Sequence, residues 1–445
     1  MSSLRHEPTR HRTGRLLFVS ATPANVEQGS GTYVGIETLR RALEGLGVEV
    51  EYVAPQGGMA TTWARLWFNW RLRRQPTDAI VVGFDLDGLF LPGRGVASLK
   101  GVRAEEARFE RGWTRARLKF EASLEGWRAR RAARVIVTSR YAADAAQRIY
   151  GVAAERIRIV PELIDLDGWR EWLGRAALPQ KGRLRQEGAN QSRRRAICEI
   201  EAEKWRSLPG PISSPGNDFS LSLRSADPDA AEGSRPAPGP PSRLRLGVAV
   251  GGFGGAAPGK DRLCLCVAHL YPRKDVGTLL LAMAQLDSGV ELHIVGEGPE
   301  RRRLERQAQR LGLGERVQFL GHIPRLALAR EYLSADIFCL PSRQEGFGIV
   351  LLEAMAAGVP IVAARAAAIP EVVPEPECGR LFPPGDAGAL AQTLRELLGD
   401  AGQRQRMAAA GRHHVERYAA PRVAAEFLAA MDWRGSAAGS TERES

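Results

Sequence analysis

Short apolar runs alternate along the chain with longer mixed stretches that carry apolar residues at helical spacing. In the first part RLLFVS (15–20), VEVEYVA (48–54), DAIVVGF (78–84), ARVIVTS (133–139) and RIRIVPE (156–162) read as strands. A glycine-rich loop at 29–31 feeds a helix that ends near 45–47, and further helices are expected over 59–75, 103–133 and 140–149. The later part repeats the pattern. LCLCVAHL, VELHIVG, RVQFLG, DIFCL and VPIVAA read as strands, with helices between them and over 386–400, 404–418 and about 420–432. Strand and helix in strict alternation predict α/β architecture, with parallel sheets covered by helices on both faces. The order breaks from about 174 to 260, where eight of the 27 prolines fall between Pro209 and Pro241. That stretch is expected to be a low-complexity, disordered insertion.

One unit of the pattern raises a chemical question. ADIFCLPSRQ (335–344) is a strand that stops at Pro341, and GIVLLEAMAAG (348–358) is a helix that stops at Gly358 before Val359-Pro360. Glu345 then sits in the loop beyond the strand's carboxyl end and Glu353 in the second turn of the helix. In an open parallel sheet that crevice is where ligands bind. Gly346 and Gly348 let the backbone approach a ligand and aim free N–H groups at it. The plain alternative is a solvated loop glutamate beside an ordinary helix-surface glutamate.

Composition changes the picture in three ways. The 445 residues suffice for two or three domains, and the net charge of +12 with a pI near 9.9 asks for an anionic partner. Residues 170–260 hold 15 Lys/Arg against 9 Asp/Glu, so half of the excess belongs to the insertion. The five cysteines form no metal spacing, and Cys264 and Cys266 are expected on one side of a strand. An odd count without a secretory signal points to a reducing, cytoplasmic setting, and no apolar run reaches the ~20 residues that span a bilayer. GGAAPGKD (254–261) misses a P-loop because Asp261 replaces the hydroxyl residue and a strand follows. The pair Asp85 and Asp87 is a weak metal signal and is read as a cleft-edge loop; His413 and His414 are read as a solvated face. The helix at 59–75 places Trp63, Trp67 and Trp70 on one face with Arg71, Arg73 and Arg74 at its end. It fits either a core helix or a helix lying on an anionic membrane surface. Nothing beyond charge suggests a nucleic-acid partner.

VAHLYPRKDVGTLLLAMAQL (267–286), LHIVGEGPERRRLERQAQRLGLGERVQFLGHI (292–323), the 335–364 unit and IPEVVPEPECGRLFPPGD (369–386) together resemble family 4 retaining glycosyltransferases. RLLFVSATP, VIVTSRYAAD and RIRIVPELIDLDGW resemble N-terminal positions of the same family, less distinctively. The resemblance implies a GT-B fold: two Rossmann-like domains facing across a cleft. The implied divisions are a disordered start at 1–13, an acceptor-side domain at 14–173, the insertion at 174–260, a donor-binding domain at 261–418, a helix at about 420–432 crossing back, and a disordered tail at 434–445. It implies transfer of a sugar from a UDP- or GDP-sugar with retention, no metal, and a place in cell-envelope or polysaccharide synthesis. The acceptor is open, and a lipid-linked one at the inner face of the plasma membrane fits. Glu345 would meet the donor sugar and Glu353 the ribose. The stretch Phe347, Gly348, Ile349 and Val350 would cradle sugar and diphosphate, and Lys274 would hold the diphosphate. Gly296, Gly298 and Ile323, and Gly29 and Gly31 of the N-terminal glycine loop, fall on family positions that the resemblance implies bind the nucleotide-sugar. Two departures stand out. His269 occupies a place where the family usually carries arginine, with Arg273 as the nearest replacement charge. Lys100 occupies roughly the place of an N-domain histidine. A GT-B epimerase or phosphorylase, or an impaired nucleotide-sugar-binding module, remains open.

Overall fold

The computed structural model describes residues 15–21, 31–54, 62–73, 79–90, 95–178 and 262–433. The expectations of disorder at 1–13 and 434–445, the 179–260 part of the insertion expected at 174–260, and the placement of Gly29 lie outside these residues; the first residues of that expected insertion, 174–177, are instead the last turn of a helix.

The first sheet contains β1 (Arg15–Val19), β2 (Glu49–Val53), β3 (Ile80–Phe84), β4 (Val96–Leu99), β5 (Arg134–Val137) and β6 (Ile157–Ile159). They are parallel, in the order β2-β1-β3-β4-β5-β6. Its helices are α1 (Gly31–Gly45), α2 (Thr62–Leu72), α3 (Arg103–Glu106), α4 (Gly112–Arg131) and α5 (Arg140–Tyr150). After α6 (Leu166–Ala177) the second sheet takes β7 (Arg262–Val267), β8 (Val290–Val295), β9 (Val317–Gly321), β10 (Ile337–Leu340), β11 (Ile361–Ala364) and β12 (Gly379–Phe382). Its order is β12-β11-β10-β7-β8-β9, again parallel. The helices here are α7 (Val276–Met283), α8 (Arg301–Arg310), α9 (Arg325–Ser334), α10 (Ile349–Ala357), α11 (Ile369–Val372), α12 (Ala387–Gly399), α13 (Ala401–His414) and α14 (Ala420–Ala430).

The central strands of both sheets are buried on two faces, which is why β3, β4, β10 and β11 read as apolar runs, whereas the outer strands β2, β6, β9 and β12 carry polar residues and are partly exposed. Cys264 and Cys266 pack with Cys339 in one layer, while Leu265 and Phe338 pack in the other. Each sheet is completed by a helix from the other end of the chain. Val423, Ala424 and Phe427 of α14 join Leu16, Phe18 and Ile36 in the first core. Leu166, Trp169 and Leu173 of α6 join Leu265, Tyr332 and Phe338 in the second. The two crossing segments are bonded together where they pass, Ile164 N–H to the Tyr418 carbonyl at 3.0 Å and Ala420 N–H to the Ile164 carbonyl at 3.0 Å.

Several expectations need correction. The chain leaves the first domain before 173, because the i, i+3, i+7 stripe of α6 is buried against the second sheet. The single helix at 103–133 is two, separated by the turn 107–111, with Gly112 at φ 51°. The helix at 59–75 is α2, and its buried residues are Phe68, Asn69 and Leu72, whereas Trp63, Trp67 and Trp70 face out. His414 is half-buried, its ring 5.6 Å from that of Tyr418, so only His413 is on a solvated face.

Candidate active site

In a sheet of this kind the crevice forms where strand order reverses. In the second sheet that point lies between β7 and β10, and the two loops leaving it carry Lys274 and Glu345. Lys274 Nζ donates to the Glu345 carboxylate, with side chains only 12% and 13% exposed. Directly beyond, Gly348 caps α10 at φ 94°, a conformation that a side chain would strain, and a Cβ there would lie 3.2 Å from Glu345 Cγ. The start of α10 therefore lies beside the Lys274–Glu345 pair, where the partial positive charge of a helix N-terminus adds to that of the ammonium. Gly346 has a different reason to be glycine: a Cβ would sit 2.5 Å from the Lys100 carbonyl of the opposite domain.

Glu353 lies one turn deeper in α10. Tyr332, fully buried, donates its hydroxyl to Glu353 Oε2 at 2.9 Å. Burial pushes the Glu353 carboxyl up to about 7, against the opposing pull of Tyr332 and Arg325. Trp169 of α6 donates its indole N–H to the Glu353 carbonyl at 3.2 Å. Phe347 turns into the core against the Tyr418 ring at 5.5 Å, so it offers the crevice only backbone. Ile349 and Val350 are partly buried at the helix start, and Ile323 is partly buried against the same core. Gly296 and Gly298 lie where the loop after β8 packs on the loop after β7, Leu270 N–H donating to the Glu297 carbonyl at 2.9 Å. Gly31 is the first residue of α1.

The two basic substitutes behave differently. His269 is an exposed residue whose ring lies 6.3 Å from that of Tyr271; partial loss of solvation lowers its pKa and the charges of Lys274 and Arg273 lower it further. Arg273 lies over the Tyr271 ring at 4.9 Å and reaches Glu106 of the first domain at 3.8 Å. Its guanidinium thus bridges the domains.

Across the cleft, Lys100 Nζ donates to Glu162 Oε2 at 2.8 Å in a largely buried pair, and Lys100 N–H donates to Asp85 Oδ1 at 3.1 Å. A Cβ on Gly35 of α1 would fall 3.0 Å from the same Glu162 oxygen and 3.7 Å from Ile349 Cδ1. The Lys100–Glu162 pair is therefore close to the start of α10. Asp87 sits at the reversal point of the first sheet, between β1 and β3. It is fully buried and accepts from Ala21 N–H at 2.6 Å, Arg65 Nη2 at 2.6 Å, Arg65 Nε at 2.8 Å and Asn69 Nδ2 at 3.1 Å. Its lone pairs are spent on the protein, so Asp87 anchors a structural turn rather than an open cleft edge, whereas Asp85 is partly exposed beside Lys100.

Three further contacts gave no signal in the sequence. Thr138 Oγ1 and Ser139 Oγ donate to the Gly346 carbonyl at 3.0 and 3.2 Å. Glu371 accepts from Arg140 N–H at 2.7 Å and Tyr141 N–H at 2.8 Å, capping α5 from the other domain. Beside these lies an open cavity of about 290 Å³ lined by Ser139, Arg140, Phe347, Glu371, Arg417 and Arg422. Tyr332 had a cue, since a tyrosine on the apolar stripe of its helix needs a partner for its hydroxyl.

Residues 253–414 match the profile of "Glycosyl transferases group 1", and residues 93–167 match "Glycosyltransferase Family 4". Together they take in more than half of the chain and contain Lys100, Lys274, Glu345 and Glu353. The chain belongs to the family 4 glycosyltransferases. This family 4 chain is 35% identical over 196 residues to a GDP-mannose-dependent alpha-(1-6)-phosphatidylinositol monomannoside mannosyltransferase of Mycolicibacterium smegmatis, a match covering 42% of this chain and 50% of that protein. It is 40% identical over 161 residues to a phosphatidyl-myo-inositol mannosyltransferase of Mycobacterium leprae, covering 35% and 42%. The chain thus spans about half the length, or less, of the curated relatives it matches. Among solved structures it resembles sucrose-phosphate synthase from Thermosynechococcus elongatus, with TM-score 0.65, 19% identity and coverage of 93% and 97%. It also resembles Anabaena Alr3699/HepE in complex with UDP and glucose, with TM-score 0.60, 17% identity and coverage of 94% and 99%. The family 4 chain has the GT-B fold of these neighbours.

Proposed function

We propose that the chain transfers a sugar from a nucleotide-diphosphate sugar to an acceptor with retention of configuration. The observation that carries this reading is the Lys274–Glu345 pair at the open N-terminus of α10. A diphosphate entering that point meets the ammonium and the first N–H groups of the helix. It takes Lys274 from Glu345, and the released carboxylate is free for hydroxyls of the donor sugar. Glu353 lies at the depth of a ribose. As the glycosidic bond breaks, negative charge grows on the leaving diphosphate, where fixed dipoles and Lys274 already point. The departing phosphate oxygen takes the acceptor's proton.

A UDP- or GDP-sugar fits this reading, since one relative's name states GDP-mannose and one neighbour was solved with UDP. The phosphatidylinositol acceptors in the relatives' names favour a lipid-linked acceptor and work at a membrane surface. Among the described residues no helix is long and apolar enough to cross a membrane. A second reading, an impaired nucleotide-sugar-binding module, is favoured by one observation: His269 stands where the family has arginine, and Arg273 is engaged with Glu106.

Thermal shifts with UDP, GDP, ADP and their sugars identify the donor, since a ligand of the folded state raises its apparent stability. Incubation of that donor with lipid extract then reads product and anomeric configuration. Nucleotide release with formation of an inverted product sinks the retention claim. Donor binding without any turnover selects the module.

A further inference from the structure

Exposed aromatic side chains are unevenly distributed. Among the described residues every strongly exposed aromatic except Tyr271 lies on α2, on α4 or at Phe90 between β3 and β4. On α4 they are Trp113, Phe120 and Trp127, seven residues apart, so two helical turns separate each from the next and all three lie on one stripe. On α2 they are Trp63, Trp67 and Trp70. The extremes are far outside: Trp113 is 83% exposed and Trp63 76%. A water-facing surface has no use for indoles at such exposure, and the elements that carry them adjoin. Thr62 Oγ1 of α2 donates to Glu121 Oε1 of α4 at 2.8 Å, and the Phe90 ring lies 6.3 Å from that of Trp127.

The charge on the same two helices has one sign. α2 carries no acidic residue. The only acids of α4, Glu121 and Glu125, are buried and turned inward to Arg103, at 2.9 and 3.8 Å. Outward stand Arg71, Arg73, Arg115, Arg117, Lys119 and Arg131. Three of the exposed indoles carry a guanidinium over the ring: Arg71 on Trp67 at 5.6 Å, Arg73 on Trp70 at 4.5 Å and Arg131 on Trp127 at 5.0 Å. Indoles with basic neighbours and no exposed acid suit the boundary between anionic headgroups and acyl chains.

We propose that α2, α4 and Phe90 form one docking face for an anionic bilayer. The use of the face, presenting a lipid-linked acceptor to the cleft, rests on the transferase reading; its chemistry does not. Its position suits that use, because α3, which leads into α4, touches Arg273 in the cleft through Glu106.

The test is co-sedimentation of the full chain with phosphatidylcholine vesicles, with and without phosphatidylglycerol, at low and high salt. Binding is expected to the anionic vesicles at low salt, falling by about tenfold or more as salt is raised. Combined Trp63→Ser, Trp67→Ser, Trp113→Ser and Trp127→Ser is expected to reduce it by more than about tenfold. Unchanged melting and nucleotide binding show that these variants fold. Should they not, Arg115→Glu with Arg117→Glu reads the same face through charge. No wild-type binding at low salt, or binding that survives both sets of variants, overturns the proposal. So does a concentration-dependent dimer dissolved by the tryptophan variants, which would make the occupant a second copy of the chain. Vesicle binding through this face without donor turnover discredits the transferase reading alone, and turnover on a detergent-dispersed acceptor without vesicle binding discredits the docking face alone.

Discussion

The two sheets place a crevice by the same rule and fill it in opposite ways. In the first, the reversal between β1 and β3 is closed by Asp87, whose carboxylate takes hydrogen bonds from Ala21, Arg65 and Asn69 and is out of reach of solvent. In the second, the reversal between β7 and β10 holds a cation and a carboxylate whose side chains, among the described residues, are bound to each other alone, with the start of a helix behind them. Topology supplies a site in both places. Whether it is structural or chemical depends on how many partners its charges already have. A carboxylate with four donors has nothing left for a ligand, whereas an ion pair at the edge of solvent exchanges one anion for another at little cost.

The comparison breaks first at Asp87. Asp87→Ala strands the Arg65 guanidinium and is expected to cost about 3–5 kcal/mol of stability, measured by denaturant unfolding. A loss below about 1 kcal/mol would mean that the first crevice is not held by this network. Lys274→Ala is expected to do the reverse: turnover falls by about 10²–10³-fold while the unfolding midpoint stays in place. A variant that loses stability and keeps turnover refutes the placement of the diphosphate. Arg273→Ala is expected to cost less, about fivefold in kcat/KM, because it removes a partly exposed interdomain pair worth about 1 kcal/mol rather than a charge at the leaving group. A loss equal to that of Lys274→Ala would return Arg273 to the diphosphate. The smallest effect is a pH dependence. Glu353 titrates near 7 in the folded chain against an ordinary value of 4.5. The folded state therefore holds this proton more tightly than the unfolded one, and the associated stability is present below about 4.5 and lost as pH rises through about 7. Nucleotide affinity should move the other way across that window, rising severalfold with pH as ribose hydroxyls find a carboxylate. Glu353→Gln should flatten both slopes in calorimetric titrations; persistence of either slope would assign it to another group.

The unit at 335–358 was legible because its signals are local. A proline ends the strand, an αL glycine at φ 72° ends the helix, and the acids lie within a few residues of both. The reach of α6 was not legible. Its apolar stripe is plain in the sequence, but which sheet it covers is decided by packing that the stripe does not encode. β12 escaped because it is four residues long at a sheet edge and contains Arg380. The outward tryptophans of α2 were ambiguous for a related reason: periodicity identifies a face, and only the buried Phe68 and Leu72 reveal which face is inside. Arg65 and Asp87 are 22 residues apart, and neither marks the other as its partner.

The grip of Thr138 and Ser139 on the Gly346 carbonyl has a thermodynamic consequence. Gly346 is the residue next to Glu345, so the segment expected at the donor is also a contact between domains. Its position and the closure of the cleft are one equilibrium with two handles. Any molecule that prefers the joined state, bound on either side, biases that equilibrium for the other. Linkage makes the bias mutual: an acceptor that tightens donor binding by about tenfold is itself held about tenfold more tightly once the donor is in place. Thr138→Val together with Ser139→Ala, which removes the interdomain hydrogen bonds and leaves Lys274 and Glu345 in place, would therefore register as a change in how strongly two substrates sense each other before it registers in the affinity for either one alone.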